Sequence, residues 1–203
     1  MFTSECLNVE NGNLTIGGMD TVELAKQFST PLYVMDEDTV RKNCRLFKES
    51  IDKNYEKGLV LYASKALNCL EMCRIVNEEG LGLDCVSGGE IYTVYKAGVD
   101  MKKVLFNGNN KTVEELSLAM ETGVGYISVD NFLELTMLNE IAKSYNKNVD
   151  VFLRVTPAIE CHTHEYIKTG NLDSKFGFDL SQVDEAIELI KDEYANLNLR
   201  GLH

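Results

Sequence analysis

The chain has 203 residues, of which 44% are apolar and 26% charged, a composition typical of a globular protein with one sizeable core. Its formal net charge of -12 argues against a nucleic-acid groove, which needs a cationic face, and favours a small-molecule partner. No apolar run approaches the roughly 20 residues of a membrane helix, and residues 1–5 lack the basic start of a signal peptide, so we expect a cytoplasmic protein.

The first 36 residues differ in pattern from the rest of the chain. Residues 2–16 predict short strands and turns, residues 20–28 a brief helix, and residues 30–36 a strand before a long helix over residues 37–55. Such a leading segment needs a sheet with which to pair, and no second domain follows in this sequence. We therefore expect residues 1–36 to pair with a β domain that is missing here, and residues 37–203 to form the main domain.

The main domain alternates strand-like and helix-like stretches with a nearly constant period. Strand-like runs begin about 22 residues apart, near Leu59, Gly82, Val104, Tyr126 and Val149. Helical patterns lie between and after them, over residues 68–79, 88–97, 112–122 and 131–145. Repeated β/α units without a switch in strand order predict a parallel sheet that closes into an eight-stranded TIM-type barrel.

The helix ends carry consistent signals. Thr112 and Glu115 predict a capping box at the start of one helix, and Gly98 and Gly123 stand where two helices are predicted to end. A sixth strand is predicted near Leu197, whereas a closed barrel needs eight strands and roughly 250 residues. We therefore expect an α/β barrel that is truncated after about six strands.

A period near 22 also falls in the range of leucine-rich repeats, so a solenoid interaction protein is the competing prediction. Residues 82–85 and 126–129 lack the regular leucine ladder and asparagine turn of that family. The barrel is therefore favoured.

Lys65 directly follows the first strand-like run of the barrel, residues 59–64. Alternation along a barrel strand predicts that Leu59, Leu61, Ala63 and Lys65 share the interior face, with the small Ala63 leaving room for a flat ring. This position suits a lysine that forms a Schiff base with a carbonyl cofactor. The alternative is an ordinary solvated lysine, which often ends a strand.

Several motifs together resemble one known family. The sequence YASKA at residues 62–66 is similar to the cofactor-lysine motif of pyridoxal-phosphate decarboxylases with an alanine-racemase-like barrel. Four further stretches resemble the diaminopimelate decarboxylase branch of that family, namely LDCVSGGE at 83–90, FNGNNK at 106–111, YIKTG at 166–170 and SKFG at 174–177. The resemblance implies pyridoxal 5'-phosphate as the cofactor, an amino acid as the substrate, and a homodimer for the full-length protein.

The resemblance also implies roles for individual residues of the barrel. Lys65 corresponds to the Schiff-base lysine, and Asp84 and Arg154 occupy positions that lie near the cofactor in the family. A buried Asp84–Arg154 pair that merely fills the barrel is the structural alternative. Ser87 and Glu90 open a helix beside the active-site wall, although the helix dipole would favour a first-turn glutamate in any protein.

Residues 156–175 interrupt the period, because the next strand is predicted only near Leu197. The side chains of Cys161, His162 and His164 can bind zinc, but no second ligand cluster accompanies them, so we predict no metal site. The resemblance implies instead that this loop closes over the active site. The residues of this loop assigned to the substrate or to the closed loop are His164, Lys168, Thr169, Ser174 and Lys175.

The reaction implied by the resemblance is the decarboxylation of meso-diaminopimelate at its D-configured centre, which yields L-lysine and carbon dioxide. In the family, the groups that bind the phosphate, the pyridine nitrogen and the distal end of the substrate lie beyond residue 203, so we expect the 203-residue chain alone to be inactive. Two alternatives remain: an ornithine- or arginine-type decarboxylase, and a non-catalytic cofactor-homeostasis protein. The latter would lack the leading segment and the inserted loop.

Overall fold

A computed structural model of the chain describes residues 5–55, 57–157 and 176–203. It divides into two compact units, Met1–Gly58 and Leu59–His203, each of which is described by itself. The domain boundary predicted at residue 36 remains a prediction. Across the described ranges, no helix has both the length and the apolarity that crossing a membrane requires.

The first unit begins with a small antiparallel sheet. Its strands are β1 (Leu7–Glu10), β2 (Asn13–Ile16) and β3 (Met19–Asp20), in that order. Two helices follow, α1 (Thr21–Phe28) and α2 (Glu37–Asn54). Each begins at an aspartate whose carboxylate accepts from first-turn amides: Asp20 from the N–H of Val22 and Asp36 from the N–H of Thr39, at 2.7 and 2.8 Å. These elements confirm the short strands and the two helices predicted for the segment.

The strand predicted over residues 30–36 is wrong. These residues lie between α1 and α2 and pair with none of the strands that the structure describes. The sequence is strand-like, but a ladder forms only where a neighbouring strand presents its own N–H and C=O groups. Without one, the segment remains irregular, and Tyr33 within it is fully exposed.

The second unit is built on a parallel sheet. Its strands in chain order are β4 (Leu61–Ala63), β5 (Gly82–Cys85), β6 (Val104–Phe106), β7 (Tyr126–Val129), β8 (Val149–Leu153), the short β9 (Val155–Thr156) and β10 (Phe178–Asp179), and β11 (Leu197–Leu202). Six of them form one sheet in the order β11-β8-β7-β6-β5-β4, and β9 pairs with β10. All of these pairs are parallel, which confirms the predicted α/β sheet in sequential strand order.

Helices connect these strands, as the sequence predicts. They are α3 (Leu70–Glu78), α4 (Gly88–Lys96), α5 (Val113–Thr122), α6 (Phe132–Ser144) and α7 (Val183–Asp192). The capping box of Thr112 and Glu115 is present at the start of α5. Gly98 and Gly123 adopt positive φ values of 80° and 78° after α4 and α5, which confirms the predicted helix ends.

The sheet has a helix-covered face and an interior face. The interior face surrounds a cavity of about 410 Å³ that is lined by Leu59, Leu61, Leu105, Tyr126, Phe152 and Arg200. The other face packs into the core with fully buried side chains, among them Leu83, Phe106, Ile127, Val129, Val151 and Leu153. This alternation with a period of two places every second strand residue towards the barrel interior.

The strand leading to Lys65 is shorter than predicted. β4 begins at Leu61 rather than Leu59 and ends at Ala63, and Ser64–Ala66 form a turn of 3-10 helix. The predicted strand alternation therefore does not extend to Lys65, because a 3-10 helix repeats every three residues rather than every two. The place of Lys65 on the interior face stays a prediction. Lys65 lies one turn beyond the strand and is exposed.

The pairing of β11 with β8 contains one irregularity. The register shifts by one residue between Leu199 and Gly201, as in a β-bulge. Beyond the shift, the amide of His203 donates to the carbonyl of Leu153, and the carbonyl of His203 accepts from the amide of Val155, both at 2.8 Å. The backbone at His203 is therefore held beside the end of β8.

Candidate active site at the carboxyl ends of the strands

The backbone before Lys65 is fixed by a buried serine. Ser64 is fully buried, and its Oγ lies 2.9 Å from the carbonyl oxygen of Asp84 and 2.5 Å from Oε2 of Glu90. The same Glu90 oxygen accepts from the amide of Val86 at 2.8 Å. The turn that carries Lys65 is thereby attached to β5 and to the first turn of α4.

Asp84 faces the barrel interior on the strand next to that turn. Leu61 lines the interior cavity and pairs in register with Gly82, and Ala63 pairs with Asp84 two residues further along. Neighbouring residues in register share a face of the sheet, so Ala63 and Asp84 also point inward. Gly82 and Asp84 therefore share the interior face of β5.

The carboxylate of Asp84 is incompletely satisfied. Its Oδ1 is buried and has no hydrogen-bond partner among the residues that the structure describes. Burial raises the pKa of Asp84, whereas His203, the side chain of Asn107 and the charge of Lys65 act in the opposite direction. A buried acceptor without a donor costs about 1–3 kcal/mol. Such an atom at the mouth of a barrel is suited to a bound polar ligand.

Arg154 pairs with a residue that the sequence analysis did not identify. Its Nη1 lies 3.2 Å from Oδ1 of Asp130, a nearly fully buried carboxylate directly after β7. Asp130 Oδ1 also accepts from the amide of Gly177 at 3.1 Å, and the guanidinium lies 4.8 Å from the ring centre of Phe176. The alternative prediction of a buried Asp84–Arg154 pair is therefore wrong: Arg154 has a nearer carboxylate at the end of the adjacent strand.

Ser87 and Glu90 lie at the beginning of α4, as predicted. Ser87 is the N-cap, and its Oγ accepts from the amide of Glu90 at 3.3 Å. Glu90 makes the contacts to Ser64 and Val86 given above. Both side chains thus maintain the loop beside Lys65, and their contact with a substrate stays a prediction.

The predicted loop residues lie outside the described residues. These are His164, Lys168, Thr169, Ser174 and Lys175, together with Cys161 and His162 of the zinc alternative. Within residues 5–55, 57–157 and 176–203, no group of three or more His, Cys, Asp and Glu side chains is arranged to hold a metal ion.

Three further titratable residues, His203, Lys111 and Glu134, join the site without having been predicted for it. Burial lowers the pKa of His203, the cations Arg154 and Lys111 lower it further, and the carboxylate of Asp84 acts in the opposite direction. His203 therefore lies within electrostatic reach of both Asp84 and Arg154. Lys111 and Glu134 form a buried ion pair, with 2.6 Å between Nζ and Oε1. Local sequence could not distinguish Glu134 from an ordinary first-turn glutamate, and Lys111 differed from other lysines only by its place in the FNGNNK motif.

The residues at this mouth fit a flat carbonyl cofactor that carries negative charge. Lys65 provides an exposed primary amine at the carboxyl edge of the sheet. Asp84 offers a buried oxygen that lacks a donor, and Arg154 adds a cation whose position is fixed by Asp130. Lys65 would hold such a cofactor covalently, while Asp84, Arg154 and His203 would surround it.

Comparison with known proteins agrees with this geometry. The family model for the pyridoxal-dependent decarboxylases, pyridoxal binding domain, matches residues 37–203. The diaminopimelate decarboxylase of Bacillus methanolicus is 49% identical over 182 residues, which are 89% of this chain and 42% of that protein. The diaminopimelate decarboxylase of Bacillus subtilis is 45% identical over 196 residues, covering 96% of this chain and 44% of the relative.

A solved structure shows the same fold. Diaminopimelate decarboxylase from M. jannaschii, in a co-complex with L-lysine, superposes with a TM-score of 0.87 at 35% identity, covering all of this chain and 48% of that one. The solenoid alternative is therefore wrong, and the resemblance to diaminopimelate decarboxylases is confirmed. The chain spans less than half the length of the curated relatives that it matches. Because the family model matches most of its residues, the chain belongs to the pyridoxal-dependent decarboxylases and contains their pyridoxal-binding domain.

Proposed function

We propose that this chain supplies the lysine-bearing barrel of a decarboxylase that converts meso-diaminopimelate to L-lysine and carbon dioxide. The observation that carries the proposal is the arrangement of Lys65 and Asp84. An exposed amine stands at the mouth of β4, and a buried carboxylate with an unpartnered oxygen faces the interior on the adjacent strand. The substrate assignment is supported by relatives named diaminopimelate decarboxylase at 45–49% identity.

The proposed roles follow from the positions of the side chains. The Lys65 amine would hold the cofactor by a covalent bond to its carbonyl carbon, and during turnover it would be the group that carries a proton to or from the reacting carbon of the substrate. When bound, pyridoxal phosphate supplies an electron sink for the electron pair left by departing carbon dioxide. Asp84 accepts a hydrogen bond at the inner edge of the site, and Arg154 presents its charge from the opposite side. Ser64 and Glu90 keep the turn of Lys65 in place.

Further parts of the proposal concern groups beyond the barrel mouth. The loop over residues 156–175 covers the substrate, and its residues that contact the substrate or hold the loop closed are His164, Lys168, Thr169, Ser174 and Lys175. Ser87 and Glu90 contribute to the adjacent wall of the site. Residues 1–36 pair with a second β domain in the full-length protein. That protein is a cytoplasmic homodimer, as the dimeric active sites implied by the family resemblance suggest.

The test uses full-length protein that contains this chain. Carbon dioxide release is measured with meso-diaminopimelate, lysine, ornithine and arginine, and only the first is expected to turn over rapidly. Preference for ornithine or arginine would replace the substrate assignment, and cofactor binding without any turnover would favour the homeostasis protein.

A second measurement locates the attachment site. Borohydride reduction of the cofactor-loaded protein, followed by peptide mass mapping, should place the pyridoxyl group on Lys65. Lys65→Ala should abolish turnover without unfolding the protein, because the exposed amine contributes little to packing. Lys96→Ala, which removes an exposed lysine of α4, is the matched control and should retain activity. A label on Lys111 or Lys175 would contradict the assignment.

A further inference from the structure

Lys111 is a buried ammonium group whose donors are fully used. Its side chain is 1% exposed. Nζ donates to the carbonyl of Gly108 at 2.8 Å, to the carbonyl of Ser128 at 2.7 Å and to Oε1 of Glu134 at 2.6 Å. An ammonium has three N–H donors, and here each has an acceptor. Lys111 is therefore held in one position and is not available as a nucleophile.

The acceptors of Lys111 belong to different segments at the carboxyl edge of the sheet. Gly108 follows β6 and is preceded by Asn107, whose side chain acts on the carboxylate of Asp84. Ser128 lies in β7, and Glu134 lies in the first turn of α6. One buried cation thus links the loop after β6 to the end of β7 and to the helix that follows.

Glu134 extends this connection to the other side of the site. Its Oε2 accepts from the amide of Asp130 at 3.3 Å. Asp130 in turn binds the guanidinium of Arg154 at 3.2 Å. A continuous series of contacts therefore runs from Lys111 through Glu134 and Asp130 to Arg154, while Gly108 connects Lys111 to Asn107 and Asp84.

Stability alone is a weak reason for such a pair. Burial lowers the pKa of Lys111 and raises that of Glu134, and the attraction between them offsets these costs. Apolar side chains of similar volume commonly stabilise a fold as well as a buried ion pair does. What an apolar pair could not provide is the set of directional bonds to Gly108, Ser128 and Asp130.

We propose that Lys111 and Glu134 are positioning residues of the active site, which hold Asp84 and Arg154 in the arrangement that binds the cofactor. Neither residue touches the reacting atoms; they act through Asn107 and Asp130. The inference rests on the proposed function, because the arrangement has this purpose only if pyridoxal phosphate binds at Lys65.

The test compares variants of the full-length protein loaded with pyridoxal phosphate. Lys111→Met/Glu134→Leu removes both charges and keeps the volume apolar, so the protein should fold. Glu134→Gln keeps an oxygen for Lys111 but can turn an NH2 group towards the N–H of Asp130, and so breaks the link to Arg154. The matched control is Lys48→Met/Asp52→Leu, which removes an exposed ion pair of α2.

Three quantities are measured: the melting temperature, the cofactor dissociation constant from an absorbance titration, and the visible circular dichroism of the bound cofactor. The double variant should still fold but melt at a lower temperature, because the carbonyls of Gly108 and Ser128 and the amide of Asp130 lose their partners. Below its melting transition it should bind the cofactor about tenfold more weakly and show a smaller dichroic band. Tenfold is the lower end of the loss observed when supporting hydrogen bonds around bound metals are removed. Glu134→Gln should show a smaller loss, and the control should show none.

The outcomes separate the two claims. A folded double variant with an unchanged dissociation constant and dichroic band would reduce the pair to a structural role and overturn the inference alone. If the double variant fails to fold, an unchanged dissociation constant in Glu134→Gln overturns it equally. If the unsubstituted protein does not bind pyridoxal phosphate, the proposed function fails, and the inference fails with it.

Discussion

Ser64 Oγ lies 2.5 Å from Oε2 of Glu90, so the residue before the candidate lysine is bound to the first turn of α4. The hydroxyl has one hydrogen to share between this carboxylate and the carbonyl of Asp84. The contact connects two consecutive β/α units at the point where Lys65 leaves the sheet.

Removing that hydroxyl should loosen the turn that carries Lys65. Ser64→Ala leaves a half-buried carboxylate with one donor fewer, a change that costs about 1–3 kcal/mol. We expect a lower urea midpoint and slower appearance of the absorbance of attached cofactor. Thr93→Ala is the control, because the Thr93 hydroxyl on α4 donates to the carbonyl of Gly89 in its own helix. Equal attachment rates for both variants would contradict a role for Ser64 at Lys65.

Asp84→Asn should stabilise the cofactor-free protein at neutral pH. Burial raises the pKa of Asp84, so the folded state binds this proton more tightly than the unfolded chain does. The free energy of unfolding therefore falls as the pH rises from about 4, the usual pKa of a carboxylate, through the raised pKa of Asp84 in the folded protein. The amide variant avoids that loss and should melt at a higher temperature at pH 7 to 8, with the difference vanishing below about pH 4.

The control for this prediction is Asp184→Asn in the first turn of α7, where the carboxylate is exposed. Its charge is favoured by the helix dipole, so the same substitution should leave stability unchanged or reduce it by up to about 1 kcal/mol. A lower melting temperature for Asp84→Asn at neutral pH would contradict this prediction, because it would show that neighbouring groups stabilise the charged carboxylate of Asp84 by more than its burial costs.

Gly177→Ala should perturb Arg154 through the backbone. Gly177 has a φ of 83°, and a Cβ at this position would lie 2.8 Å from the carbonyl oxygen of Arg154. Gly98 has a similar φ of 80° with open space around a Cβ, so Gly98→Ala measures the conformational cost alone, roughly 1–2 kcal/mol. We expect Gly177→Ala to lose more stability than Gly98→Ala in urea titrations and, unlike it, to weaken cofactor binding.

Glu115→Ala should destabilise the fold more than Thr112→Ala does. Loss of the Thr112 cap costs about 1 kcal/mol. Glu115 completes the same capping box through Oε2, and its Oε1 also accepts from the amide of Gly88 at 2.8 Å, at the start of α4. Its removal therefore leaves donors at two helices without a partner. Equal unfolding free energies for the two variants would mean that the bond to Gly88 contributes nothing.

The same residues show which features the sequence could predict. The Thr112–Glu115 box depends on residues within one turn, so it was found from the pattern alone, as were the strand starts at Gly82, Val104 and Tyr126. The bond from Glu115 to Gly88 spans 27 residues, and no local signal specifies it. Long-range polar contacts of this kind form only once the sheet has brought the loops together.

The candidate site divides in the same way. The family resemblance assigns Lys65, Asp84 and Arg154 to the site, but it does not predict the pairing of Arg154 with Asp130. Asp130 follows a buried strand and resembles any aspartate near the start of a helix, so its role emerges only from its position beside β8. The turn at Lys65 was also missed, because a strand-like sequence does not indicate where a 3-10 turn replaces the strand.

The register shift between Leu199 and Gly201 determines which way His203 points. Side chains alternate between the two faces of a sheet. One additional residue in a strand therefore moves every later side chain of that strand to the opposite face from the one it would otherwise occupy. His203 thereby shares the side of Arg154 and comes within reach of Asp84. If pairing continued without the shift from Leu199 and Val151, Leu202 would lie opposite Arg154, and the imidazole of His203 would point to the helix-covered side. The additional residue in β11 therefore decides which of these two side chains enters the site.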